Sequence, residues 1–175
     1  MPTDELSPEI QDPPTPWKCM GTWAVGGLLQ IGYAEDSDLL LVLSSQGRGI
    51  FDCKTGEKLA RDYDEDNDCF DPVRLLAQGF GPLEGKTIRM AGLFGGGLTR
   101  TTADWWSLDD IAPAWPTHSI RLTAPSSVRE DGSFSREEPV VVGDSGACEL
   151  RAYGFSETGQ SFIIAISCDL VIFAR

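Results

Sequence analysis

Histidine occurs once, at position 118, and basic residues are scarce: 14 Lys and Arg stand against 27 Asp and Glu, a formal charge of −13 over 175 residues. A surface of that sign repels phosphate backbones and anionic headgroups and attracts cations and basic proteins. Nucleic acid and membranes are therefore excluded as expected partners. Long apolar runs are also missing. Runs such as Leu39–Leu43 and Phe162–Ile166 fall far short of the ~20 residues that span a bilayer. The opening Met-Pro-Thr-Asp-Glu-Leu has neither the basic nor the apolar stretch of a secretory signal. Cysteine appears at positions 19, 53, 69, 148 and 168, an odd number with no CxxC pair. That pattern fits neither a disulfide framework nor a zinc ribbon. The expectation is five small apolar side chains in a reducing cytoplasm.

What is present suits a folded domain: 41% hydrophobic residues with 23% charged can bury a core that offsets the ordering entropy. Residues 1–16 hold five prolines and four acidic residues without a basic one, which predicts a disordered, Pro-rich acidic arm before a single β-rich domain over 17–175. Short apolar runs separated by Gly, Asp and Ser clusters predict strands at 28–33, 38–45, 48–52, 58–63, 86–93, 98–105, 118–123, 139–143, 147–154, 161–167 and 169–174. One short helix is predicted over 71–79, with Asp71 as cap, Pro72 at the first helical position and Gly79 at the end. A further single turn is predicted at Ser107–Ile111, ahead of Pro113 and Pro116.

The chain also echoes itself. Gly32-Tyr33-Ala34-Glu35 leads into Asp38–Ser45 and then Gly49-Ile50-Phe51-Asp52, while Gly154-Phe155-Ser156-Glu157 leads into Ser161–Cys168 and then Leu170–Phe173. Both copies run aromatic, polar turn, buried strand, tight turn, second strand. Tyr153–Phe162 resembles the core of a WD40-type β-propeller blade, in which an aromatic-Ser-x-x-Gly turn feeds a buried strand. Gly49–Glu57, with its Asp52-Cys53-Lys54-Thr55-Gly56, resembles the outer-strand turn of such blades. The resemblance implies an all-β fold of antiparallel meander hairpins. Blades need about 40–45 residues and closed rings about four to eight blades, and the stretch 70–135 does not repeat the motif. A curved sheet or sandwich is thus expected rather than a closed propeller. The continuous apolar strands predict that the two hairpins are neighbours in the core.

Three motifs fail on spacing or context. Gly85-Lys86-Thr87 ends like a phosphate loop, but its first glycine would have to be Phe80. Gly143-Asp144-Ser145-Gly146 copies a serine-protease tetrapeptide, yet the sole candidate base is His118 in an unrelated context; a turn between two strands is the reading taken. Counted from Asp62 as a calcium loop, Asn67 replaces the required glycine and Val73 the bidentate glutamate. No metal, cofactor or catalytic residue is therefore assigned.

Three features remain as candidates for contact. The run 62–71 has six acidic residues and no basic one, so Asp62, Asp64, Glu65, Asp66 and Asp68 form an acidic patch. Gly92–Leu98 is a glycine turn that can present Phe94. Trp105-Trp106 can send one ring into the core and the other out. In size, acidity, expected location and lack of catalytic motifs the chain is similar to bacterial immunity proteins, which neutralise a cognate toxin by occluding its active site. That resemblance implies a non-catalytic inhibitor of a basic protein, a toxin effector domain, with the acidic patch entering a basic cleft and Phe94, Trp105 or Trp106 as the anchor. The competing reading is a carbohydrate- or small-ligand-binding protein or enzyme that uses Asp104, Asp109 and Asp110 beside Trp105, Trp106 and Trp115.

Overall fold

The computed structural model describes residues 8–64 and 68–175. The chain first makes β1 (Lys18–Ala24), β2 (Leu28–Tyr33), β3 (Leu39–Ser44), β4 (Gly47–Asp52) and β5 (Glu57–Asp62). It continues through β6 (Phe70–Asp71), β7 (Leu76–Gln78), a 3-10 turn at Gly81–Leu83, β8 (Thr87–Arg89) and β9 (Ala91–Gly92). Next come β10 (Ser107–Ala114), β11 (Thr117–Thr123), β12 (Ser127–Val128), β13 (Phe134–Ser135) and β14 (Val140–Asp144), before β15 (Leu150–Phe155), β16 (Ser161–Ile166) and β17 (Asp169–Ala174).

The fold is all-β. Sheet A has the order β1-β17-β16-β15, sheet B β5-β4-β3-β2-β9, sheet C β6-β7-β8 and sheet D β10-β11-β14, with β12-β13 a separate hairpin. All pairings are antiparallel. Three apolar layers lie between the sheets. Ile88 and Ala77 of sheet C meet Leu41, Leu43 and Ile50 of sheet B. Ile31, Leu40 and Phe51 on the other face of sheet B meet Ile163, Ala165 and Ile172 of sheet A. Phe155, Phe162 and Phe173 on the far face of sheet A meet Leu108, Ile120 and Val142 of sheet D. The sheets thus stack in the row C, B, A, D, without closing into a barrel or propeller.

The internal echo is a structural repeat. Leu28 and Leu150, Leu39 and Ser161, and Gly47 and Asp169 open equivalent strands, each pair 122 positions apart. The registers agree, including the irregularities at Leu28/Gln30 and Leu150/Ala152. The fourth strand also matches although it comes from elsewhere in the chain: β1 lies on β17 with the same register, and a bulge at Met20, that β5 lies on β4 with a bulge at Leu59. The equivalent turns touch: Ser161 Oγ lies 2.6 Å from Asp38 Oδ1, and the Asp36 amide donates to Glu157 at 3.0 Å. The two hairpins are therefore neighbours in the core, as expected, but they pack across a layer in separate sheets.

Several expectations are corrected. There is no helix over 71–79. The Asp71 carboxylate does accept the Val73 and Arg74 amides, but Leu75 turns left-handed (φ 57°), and the chain returns as β7 to pair with β8. Ser107–Ile111 is not a turn but most of β10. As an edge strand it tolerates Pro113, at which the register slips. Over 98–105 there are only isolated bridges, Thr99 to Phe155 and Thr101 to Ser107. Cys148 and Cys168 form a disulfide, while Cys19, Cys53 and Cys69 are free. The β15–β16 ladder explains the bridge: the Ser167 amide bonds Glu149 O, so the next pair outward is Cys148 with Cys168. Burial pushes the Cys53 thiol far above its ordinary range, which suits the inert apolar role expected of it. Of the arm 1–16, residues 1–7 lie outside the described residues; beyond them Gln11 N donates to Val141 O on β14.

Candidate functional site

The acidic run joins β5 to β6. Its first member, Asp62, accepts Arg48 Nε at 2.9 Å, and Arg48 in turn lies over the Phe80 ring; this pair anchors the loop. Asp64 lines a small cleft with Arg48, Leu29, Leu43, Cys69 and Phe70. Asp68 lines the neighbouring one with Phe70, Asp71 and Arg74. Phe70 therefore stands between the two. Glu65 and Asp66 lie outside the described residues. The amides of Arg74 and Val73 hold the Asp71 carboxyl below its ordinary value, so it stays ionised in mild acid.

The glycine turn supplies the apolar part. Gly92 and Gly95 exchange backbone hydrogen bonds at 3.0 Å. A Cβ on Gly92 would fall 2.2 Å from Leu29 O and one on Gly96 2.5 Å from Met90 O, so only glycine lets the turn sit this close to sheet B. The closeness lifts Leu93 and Phe94 into solvent, and Phe94 is 54% exposed. Its ring rests on Phe70, with centroids 5.8 Å apart. Val73, at the tip of the β6–β7 turn, is 90% exposed. Asp64 and Asp68 thus flank Phe70, and Phe94 rests on that same ring. Gln30 is fully buried, and neither amide atom has a partner among the described residues, a costly polar burial.

The tryptophans separate. Trp106 is 7% exposed and meets Trp17 edge-on in the layer between sheets A and D, whereas Trp105 is 74% exposed. Trp106 is thus a core residue. Trp105 has φ 71° in the turn closed by its amide on Thr102 O. Its hairpin is tied to Arg175 and not to the acidic loop. Arg175 grips Asp104 with two nitrogens, at 2.6 and 2.8 Å, and lies over Trp17. That grip holds the Asp104 carboxyl far below its usual 3.8. A carboxyl lowered by folding stabilises above its unfolded pKa, and the contribution fades as pH falls through its folded one. Because the pair is half in solvent, Asp104→Asn should cost only about 0.5–1 kcal/mol at pH 7. The difference from wild type should shrink below pH 3.8, as urea titrations at a series of pH values would read.

The carboxylates of the competing reading are each engaged. Asp109 accepts Arg121 Nε at 2.9 Å. Asp110 accepts Tyr153 Oη at 2.7 Å and faces His118 Nδ1 at 2.8 Å, and Arg100 donates to Tyr153 from the other side. Burial raises the Asp110 carboxyl, but the bonds from Tyr153 and His118 outweigh it and leave it lowered; burial and then Asp110 push the Tyr153 hydroxyl well up. Ser145 is buried, and its Oγ accepts the His118 backbone amide. It closes a turn, as read from the sequence, and is not aimed at the imidazole. Sequence reasoning missed Phe70 and Val73; the signal was an aromatic residue ending the acidic run.

No family model, no curated protein and no solved structure matches the chain. No helix among the described residues is long and apolar enough to cross a membrane.

Proposed function

We propose that the chain is a non-catalytic protein-binding module that takes a basic partner on the face shared by the 62–71 loop and Phe94, acting as an immunity-type inhibitor that occludes the cleft of a toxin effector domain. One observation carries this: the exposed Phe94 rests on Phe70, the ring that lines one cleft with Asp64 and the next with Asp68 and Asp71. An apolar anchor within a charged rim is how protein interfaces concentrate their affinity. Acidic charge around it steers a basic partner and makes binding salt-dependent. Trp105 drops out of this contact, and Trp106 supports the core. A cytoplasmic setting loses the support of the cysteines, because the Cys148–Cys168 bridge belongs with oxidising compartments.

The test is capture by the tagged protein from native lysate, in low and high salt, with wild type, Asp64→Asn/Asp68→Asn, Phe94→Ala and Trp105→Ala side by side. Expected is one stoichiometric basic protein, released by salt, with affinity lowered by about tenfold or more in the first two variants and unchanged in the third. Equal capture and equal salt release by the doubly neutralised variant would sink the acidic-face reading.

A further inference from the structure

A second concavity lies on the opposite side of the sheet row, where sheets A and D splay apart. Ile10 and Pro13 of the N-terminal segment, Val142 of β14, and Ile164, Val171 and Phe173 of sheet A wall a cleft of about 550 Å³. Its shape follows from the chain. The Gln11 amide bonds Val141 O and so lays residues 10–13 along the free edge of β14. A Cβ on Gly143 would meet Ile164 Cδ1 at 2.7 Å, so glycine leaves room for the end of that side chain at the base. At one end the turn 145–148 is pinned to the β16–β17 turn by the Cys148–Cys168 disulfide. The volume is within the range of about 300–1,000 Å³ typical of small-molecule sites, and the mainly apolar lining with few polar groups matches them too.

The polar groups at the mouth have one sign. Asp12, Asp144 and Asp169 line the cleft, and none is paired with a basic side chain among the described residues. They do not form a group that could hold a metal ion among the described residues. We infer that this cleft is a binding site for a small organic cation with an apolar body, an alkyl- or arylammonium compound. The hydrocarbon enters between sheets A and D, where removing it from water is favourable. The ammonium stays at the rim facing the carboxylates, still partly hydrated, where desolvation costs least. A neutral analogue gains the first contribution alone, and an anion is repelled. The site needs no protein partner, so its failure and that of the proposed inhibitor face are separable.

Cys19 is a built-in reporter, since it is free, exposed and part of the cleft wall. Its alkylation by iodoacetamide, read peptide by peptide by mass spectrometry, should slow about tenfold as hexyltrimethylammonium saturates the cleft. Hexanol should protect much less and hexanoate not at all. Labelling of Cys69, outside the cleft, should not change. Asp144→Asn/Asp169→Asn should abolish the preference for the cation over the alcohol while keeping the strand-type circular dichroism. Ala147→Trp, which adds bulk to the cleft wall and keeps all three carboxylates, should remove protection by every compound. Equal protection by cation and alcohol, or no protection at all, would overturn the assignment.

Discussion

Replacing Trp106 with alanine should cost about 3–5 kcal/mol of folding stability, the range for emptying a large buried aromatic position. The same change one residue earlier should shift stability by no more than about 0.5 kcal/mol. The contrast follows from the turn at Thr102–Trp105. Its hydrogen bonds send the Trp106 ring toward Trp17, Phe155 and Phe162 and leave the Trp105 ring in water. Trp105 also carries a left-handed backbone, a conformation that strains a bulky residue. Trp105→Gly should therefore match or exceed wild type, by up to about 1 kcal/mol. Equilibrium urea unfolding of the three variants reads all of this. A destabilised Trp105→Ala beside a tolerated Trp106→Ala would mean that the two rings are placed the other way round.

Gly32→Ala and Gly154→Ala should each cost about 3 kcal/mol, or roughly 6–12 °C in Tm for a domain of this size. The two glycines hold the same position in the two copies of the repeat. A Cβ on Gly32 would meet Arg89 O at 2.3 Å and one on Gly154 would meet Thr99 O at 2.8 Å and Leu98 Cβ at 2.4 Å. Backbone that is itself hydrogen-bonded into a sheet cannot step aside cheaply. Gly97→Ala is the control, because its Cβ would meet nothing within 4 Å. Thermal melts with a paired loss at 32 and 154 and none at 97 would establish that both copies use glycine to admit a neighbouring stretch of backbone. A loss at only one of the two would show that the repeat is geometric without sharing the same packing constraint.

Strands β2, β3, β16 and β17 are legible in the sequence because each is a largely apolar run between Gly, Asp or Ser turns, and each is buried on both faces in the row of sheets; β4 is legible from Ile50-Phe51 after its glycines. β1 is not legible. Lys18-Cys19-Met20-Gly21-Thr22-Trp23-Ala24 has no alternation, and what makes it a strand is the open edge of β17, brought from the far end of the chain. β10 hides for a related reason: its Asp-Asp and Pro113 belong to the part of an edge strand that β11 alone pairs with, beyond the bridge from Thr101 to Ser107. At 71–79 the local signals are real, since Asp71 does cap one turn, but a cap and a proline say nothing about length. The disulfide was hidden by counting cysteines. Once the β15–β16 register is known, position 148 opposite 168 follows. In the site, the acidic run and the Phe94 turn are both visible in the sequence. Their union through Phe70 is not, because residues 70 and 94 approach each other only after β6, β7 and β8 have folded into a sheet beside β9.

In the proposed interface the carboxylates of the 62–71 loop and Phe94 act as one surface. The most direct measurement is the affinity of the captured basic partner across a salt series, for wild type, Asp64→Asn/Asp68→Asn, Phe94→Ala and the three changes combined. Neutralising the carboxylates should lower affinity and flatten its salt dependence. Phe94→Ala should lower affinity with the salt dependence kept. The combined variant should depart from additivity, as neighbouring interface groups do. An unchanged affinity and salt slope in the neutralised variant, together with a loss caused by Trp105→Ala instead, would contradict the account.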